Sequence, residues 1–297
     1  MTYFLMFFIF LIGASIGSFL NVLIDRLPQD KKITGRSVCD YCHHQLSWYD
    51  LIPILSFFLL KGRCRYCRKK ISWQYPLVEI LTGIAFVFII FKIFKDSPFL
   101  GQSLLRTVLL WGLISCFIVI LFSDVKYHLI SDYILWALFG FSVMLKLFYH
   151  PIEILNKVQN DIFSHNFFQF KTFVIPNLFR DLFTIEMLKQ VQHDIFSGLI
   201  IAFPIWLIYF LSKEKAMGLG DVYLAAILGF LLGWQKGFIA LYLAFVLGGV
   251  MGLFLIIFGR KKLKSKIAFG PFLVIGAVVM LFWGEEILKV VLGFYGL

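Results

Sequence analysis

Apolar residues run along this chain in blocks too long and too unbroken to be the buried stripes of soluble helices. Residues 3–24, 77–95, 102–122, 132–149, 198–212, 220–234, 237–258 and 270–292 are dominated by Leu, Ile, Val and Phe, with charges pushed into the joints between them. A helix of about 20 apolar residues spans a bilayer core, so the pattern predicts an all-α polytopic membrane protein with about eight transmembrane helices. The blocks 198–212 and 220–234 are short and flank a glycine-rich joint, which leaves their ends open. Residues 25–76, between the first two spans, form the one sizeable soluble element. The chain thus divides into helix 1 over 1–24, a loop domain over 25–76 and a membrane domain over 77–292.

The first block lacks a basic leader and a small-residue cleavage pattern and runs on to Pro28, so it is a retained helix, not a secretion signal. Composition agrees: 60% of residues are hydrophobic, 36 are Phe and the mean hydropathy is +0.87, which excludes a soluble domain of this length. Ten of the 28 basic residues lie between Arg26 and Lys70 and five between Arg260 and Lys266, all on one side of an eight-span topology. The positive-inside rule makes that side cytoplasmic. The net charge of +11 is explained by these loops meeting anionic lipid, and no nucleic-acid partner is implied.

Against this apolar background two carboxylates stand out. Asp124 lies in Ser123-Asp124-Val125-Lys126-Tyr127-His128-Leu129-Ile130-Ser131-Asp132, and Asp221 closes Gly218-Leu219-Gly220-Asp221, each at the end of an apolar block. An ionised group at membrane depth costs about 2.5–3.5 kcal/mol on insertion scales, so two of them point to chemical use. Paired aspartates that share one proton equip a chain for aspartyl proteolysis, one as base toward water and the other as acid toward the scissile carbonyl. Gly218 and Gly220 let backbone approach closely beside Asp221. Taken alone, the same four residues also describe a helix entry capped by Asp221. Asp132 reads as a helix cap, His128 as an interfacial residue, and Glu79 as either ion-paired in the core or part of the site.

The soluble loop carries Cys39-Asp40-Tyr41-Cys42 and Cys64-Arg65-Tyr66-Cys67. Two such knuckles supply four thiolates for a closed tetrahedral zinc site, structural because no position is left for substrate. A reducing cytoplasmic loop disfavours the rival reading as disulfides. Cys116 lies mid-helix and is read as core, and His43 and His44 are competing ligands of lower weight.

Taken in order, Gly17 to Pro28, the double CxxC with Trp48-Tyr49-Asp50-Leu51-Ile52-Pro53 between, Tyr75-Pro76-Leu77-Val78-Glu79, Asp124 with Asp132, Met217 to Val222 and Phe269-Gly270-Pro271-Phe272 resemble the prepilin peptidases over nearly the whole chain except about 150–197. The resemblance implies a multi-pass aspartyl peptidase of the bacterial inner membrane with its active site facing the cytoplasm. Its substrates would be type IV prepilins or type II secretion pseudopilins, cut after a glycine to remove a basic leader. It further implies methylation of the new N-terminus with S-adenosylmethionine. The catalytic aspartates of the family pattern fall on Asp124 and Asp221. Ser131 stands where the family carries proline, and Tyr223 where lysine often follows.

One segment is foreign to that pattern. Val158-Gln159-Asn160-Asp161-Ile162-Phe163-Ser164 recurs as Val191-Gln192-His193-Asp194-Ile195-Phe196-Ser197, which marks 150–197 as an inserted extracytoplasmic segment, a mobile loop or a short amphipathic helix, dispensable for cleavage. A different function class is a proton- or cation-coupled transporter using Asp124 and Asp221. It would call for inverted repeats, which this sequence does not show, and it has no use for a double CxxC loop.

Overall fold

Hydrocarbon offers no partner to a backbone N–H or C=O, so each apolar block must close its hydrogen bonds within itself, and it does so as helix. The computed structural model describes residues 2–96, 100–164, 175–214, 217–258 and 268–294. Its helices are α1 (Thr2–Arg26), α2 (Leu55–Leu59), α3 (Gln74–Asp96), α4 (Leu100–Tyr127), α5 (Asp132–Ser164), α6 (Ile175–Ser212), α7 (Leu219–Leu232), α8 (Trp234–Ile257) and α9 (Gly270–Phe294). Among the described residues there is no strand, only the isolated bridges Val38–Gln45 and Arg63–Lys70.

Among the described residues, six segments are long and apolar enough to cross a membrane: Tyr3–Gln29, Gln74–Ile93, Leu104–Tyr127, Lys189–Ser212, Trp234–Ile257 and Gly270–Val291. The sequence pattern predicts about eight. Of the remaining two blocks, 132–149 begins the longer α5, and α7 is apolar but holds 14 residues. At 1.5 Å per residue α7 is about 21 Å long, short of a hydrocarbon core of about 30 Å.

The described parts of 150–197 belong to long helices: α5 continues to Ser164 and α6 begins at Ile175. The span expected over 198–212 therefore starts earlier, at Lys189, and takes in the second copy of the repeat. Asp194 is what disguised it. Its buried carboxylate pairs with Lys146 Nζ at 3.0 Å, so a residue that reads as solvated loop is a neutralised core group.

The chain forms two compact units, residues 1–138 and 139–297. In the first, α1 packs along α3 and both meet α4. Ile24, Val78, Phe86, Leu113, Phe117 and Ile120 fill its core. The Phe86 and Trp111 rings stack at 4.5 Å, and Trp111 Nε1 donates to the Phe86 carbonyl at 3.2 Å, which ties α3 to α4. Approach of α1 to α3 is set by glycine. A Cβ on Gly13 would lie 2.8 Å from Gly83 Cα, and one on Gly17 2.7 Å from Glu79 Cα. This is the small-xxx-small contact that lets membrane helices pack backbone to backbone. In the second unit α6 packs on α7, and α8 on α9. A Cβ on Gly229 would lie 2.7 Å from Ser197 O, and one on Gly276 would run into the Ala240 carbonyl.

Gly17→Leu should therefore push α1 off α3 and cost about 1–3 kcal/mol, as overpacking does. Gly140, which has open space around its Cβ position, should accept alanine without loss. Thermal unfolding of the two variants in detergent separates these outcomes.

Candidate active site

Asp124 sits in the last turn of α4, 6% exposed, beside the buried Ser123. The helix ends just past it for a local reason. His128 takes a left-handed conformation at φ 54°, its N–H bonds the Asp124 carbonyl at 2.9 Å, and Ser123 Oγ donates to Leu129 O at 2.8 Å. The cap thus uses the backbone of His128 and leaves its exposed side chain outside. Ser131, in the place of the family's proline, starts α5: its carbonyl accepts from the N–H groups of Ile134 and Leu135. Asp132 is exposed in the first turn of α5, where its charge suits the helix dipole.

A second carboxylate, Asp25 at the end of α1, organises the same end of this unit. Tyr75 Oη donates to its Oδ2 at 2.8 Å, and Lys126 Nζ and Tyr127 Oη reach its Oδ1 at 2.6 and 3.3 Å. Asn21, buried one turn earlier, donates Nδ2 to the Tyr75 carbonyl at 3.0 Å. The ends of α1, α3 and α4 are thereby clamped within two residues of Asp124. Sequence reading passed over Asp25; the signal available was a carboxylate closing an apolar helix next to Arg26.

Asp221 lies in the first turn of α7 and is 9% exposed. Gly218 is the N-cap, with φ −85° and ψ 159°, and Asp221 occupies the third helical position. Its Oδ2 accepts from the Gly218 N–H at 3.3 Å, while its own N–H bonds the Gly218 carbonyl at 3.2 Å. The carboxylate therefore reaches back over an open helix N-terminus, where negative charge is favoured. Capping and chemistry are compatible here. Asp124 and Asp221 belong to different compact units, the first to 1–138 and the second to 139–297.

The four loop cysteines are brought together. Their sulfurs all lie within 4.8 Å of one another, and Cys39 Sγ and Cys67 Sγ are 3.8 Å apart. Zinc–thiolate bonds of about 2.3 Å make the edge of an S4 tetrahedron about 3.8 Å, whereas a disulfide needs about 2.05 Å. The residues therefore fit a zinc ion, and Cys116, buried in α4, takes no part. Both knuckles are built alike. The Cys39 N–H bonds His44 O and the His43 N–H returns to Cys39 O; the Cys64 N–H bonds Lys69 O and the Arg68 N–H returns to Cys64 O. His43 and Arg68 turn the chain at φ 53° and 56°. The His44 ring lies on Tyr66, with centroids 3.7 Å apart, and neither histidine joins the sulfur cluster. Burial raises the Cys39 thiol, but backbone N–H groups of Cys42 and Tyr41, with Cys64 and Cys42, bring it down to about 7. At Cys67 the Lys69 N–H acts downward, and burial and the other three thiols push it up to about 11. Four thiols this close share their protons as a unit, which a metal ion would displace.

Glu79, left open by the sequence, is buried in α3, and its Oε2 accepts the backbone N–H of Ile54 at 2.7 Å. Asp50 fixes the intervening loop to the second knuckle, accepting from Arg65 Nε at 2.7 Å.

Two family models match in tandem and together cover most of the chain: the bacterial peptidase A24 N-terminal domain over residues 11–93 and the type IV leader peptidase family over 111–253. The Aeromonas hydrophila protein named prepilin leader peptidase/N-methyltransferase is 28% identical, covering 95% of this chain and 91% of its own length. The Pseudomonas aeruginosa protein of that name is 24% identical over 96% of this chain and 93% of its own. The Myxococcus xanthus one reaches 52% over 80 residues, 27% of this chain and 24% of its own. No solved structure matches. The first model takes in the end of α1, both knuckles and Glu79, and the second takes in Asp124 and Asp221; the chain belongs to the type IV leader peptidase family.

Proposed function

We propose that this protein is an aspartyl endopeptidase that removes the basic leader of type IV prepilins or type II secretion pseudopilins after a glycine, with Asp124 and Asp221 as its catalytic pair. The observation that carries the reading is that both carboxylates are at least nine-tenths buried at the termini of apolar helices, in a chain of this family. Burying carboxylates there is expensive, and a shared proton relieves the cost. One carboxylate, ionised, takes a proton from water as its oxygen attacks the scissile carbonyl carbon. The other, protonated, donates to the carbonyl oxygen. The excess of basic residues over 26–70 and 260–266 supports a cytoplasmic location for this chemistry, at the inner membrane.

Cys39, Cys42, Cys64 and Cys67 would hold one zinc ion in a closed site, where it supplies folding energy and no reactive position. N-methylation with S-adenosylmethionine is proposed on the names of the relatives alone. The described residues hold no strand followed by a G-x-G-x-x-G loop, so a Rossmann pocket does not account for it, and no step is assigned to that cofactor.

The inserted element we assign to one period of the repeat, residues 158–190, because the second copy supplies Asp194 to Lys146. Deleting 158–190 should leave a stable, active peptidase. A deletion that also removes Asp194 strands Lys146 and should lower the amount of folded protein.

Co-expressed with a prepilin, Asp124→Asn and Asp221→Asn should each lower cleavage by on the order of a hundredfold or more at equal membrane levels. Wild-type cleavage in either variant would remove that residue from the pair. Purified protein should carry one zinc per chain. Cys39→Ser and Cys64→Ser should lose it and expose the 26–74 segment to protease, measured by elemental analysis and limited proteolysis.

A further inference from the structure

We infer that the zinc-bearing loop is anchored on the bilayer surface by α2 and Trp73, with the apolar side chains of Leu55, Phe58, Leu59 and Trp73 seated among lipid at the interface and nearby basic residues at anionic headgroups. The position of α2 follows from a hydrogen bond. Ile54, the residue before α2, gives its N–H to Glu79 Oε2 at 2.7 Å, and Glu79 lies five residues into α3, about 7.5 Å along the helix. That distance is within reach of a glutamate side chain and its hydrogen bond, so α2 is held beside the first turns of α3, itself an apolar helix long enough to span a membrane. Ile54 holds φ 63° and ψ −53°, an uncommon conformation for a β-branched residue. The chain is bent sharply to meet the buried carboxylate.

What α2 then shows to its surroundings is apolar. Leu55, Phe58 and Leu59 are 54%, 54% and 74% exposed and Trp73 68%, while Phe57 turns inward against Trp73, their rings 4.9 Å apart. In water such a cluster would be a liability. At 5–10 Å depth in an interface it is the apolar face of an anchor, and tryptophan at the mouth of a span is its usual companion. Lys61, Arg63, Lys69 and Lys70 are exposed and follow α2 within the same turn and bridge, Arg63 pairing with Lys70 across the isolated bridge. Their charge complements anionic headgroups. The occupant of this face is accordingly lipid, not a protein partner. The inference is independent of which residues cut the substrate.

The test uses the full chain in nanodiscs containing phosphatidylglycerol, with p-benzoylphenylalanine placed singly at position 58, 59 or 36. Illumination followed by mass spectrometry should give lipid adducts at 58 and 59 and none at 36, in protein that retains its zinc. Yields at 59 should fall when phosphatidylglycerol is replaced by phosphatidylcholine, and equal yields would remove the headgroup contacts from the proposal. Cross-links at 58 and 59 only to a second copy or to a co-reconstituted prepilin, or no adduct at either position, would overturn it. If substitution at 58 releases zinc, the same readout at 59 and 73 decides.

Discussion

Nothing in a hydrocarbon layer will solvate a polar group, and the first unit is arranged around that constraint. Several polar side chains that enter it meet partners supplied by distant parts of the chain. Asn21 bonds the Tyr75 carbonyl, Asp25 collects Tyr75, Lys126 and Tyr127, and Glu79 takes the Ile54 N–H. These partners come from α1, α3, α4 and the loop before α2, so satisfying them fixes where four segments meet. The second unit follows the same rule with Lys146 and Asp194. Polar satisfaction is thus what gives the apolar helices, which pack equally well in many registers, a single register.

Close helix approach works with this. Gly13 and Gly17 bring α1 within backbone contact of Gly83 and Glu79, which lets the short side chains of Asn21 and Asp25 reach across to Tyr75 farther along the same pair. A wider spacing would leave those groups unmet. The carboxylate and amide partners then hold the last turn of α4 where Asp124 lies, so the packing of small residues deep in the bilayer is linked to the placement of a charged group at its edge.

Much of this is readable from residue order because the relevant physics is local. Four thiols in two CxxC pairs have few ways to approach one another, and the sulfur cluster forms as the spacing implies. Asp124 at a helix end and Asp221 in a helix start follow from charges bounding apolar blocks. What escaped was set by distant partners. Glu79 was weighed against a basic side chain or a catalytic role, but its carboxylate takes a backbone N–H presented by an unusual turn at Ile54, which no side-chain pattern encodes. Asp194 looked like loop because its counter-charge, Lys146, is 48 positions earlier and on another helix. The division of the chain after Leu138 is likewise invisible to hydropathy, which marks spans but not their neighbours.

The shortness of α7 has a consequence for the lipid itself. A helix of 14 residues capped by Gly218 and Gly233, with α8 starting immediately at Trp234, cannot match both faces of an undisturbed bilayer. The mismatch is met by thinning of the membrane alongside it or by sinking one terminus below the headgroups. Thinning shortens the path from bulk water to the carboxylate of Asp221, sinking that terminus lengthens it, and bilayer thickness becomes a variable in the hydration of this end of the helix.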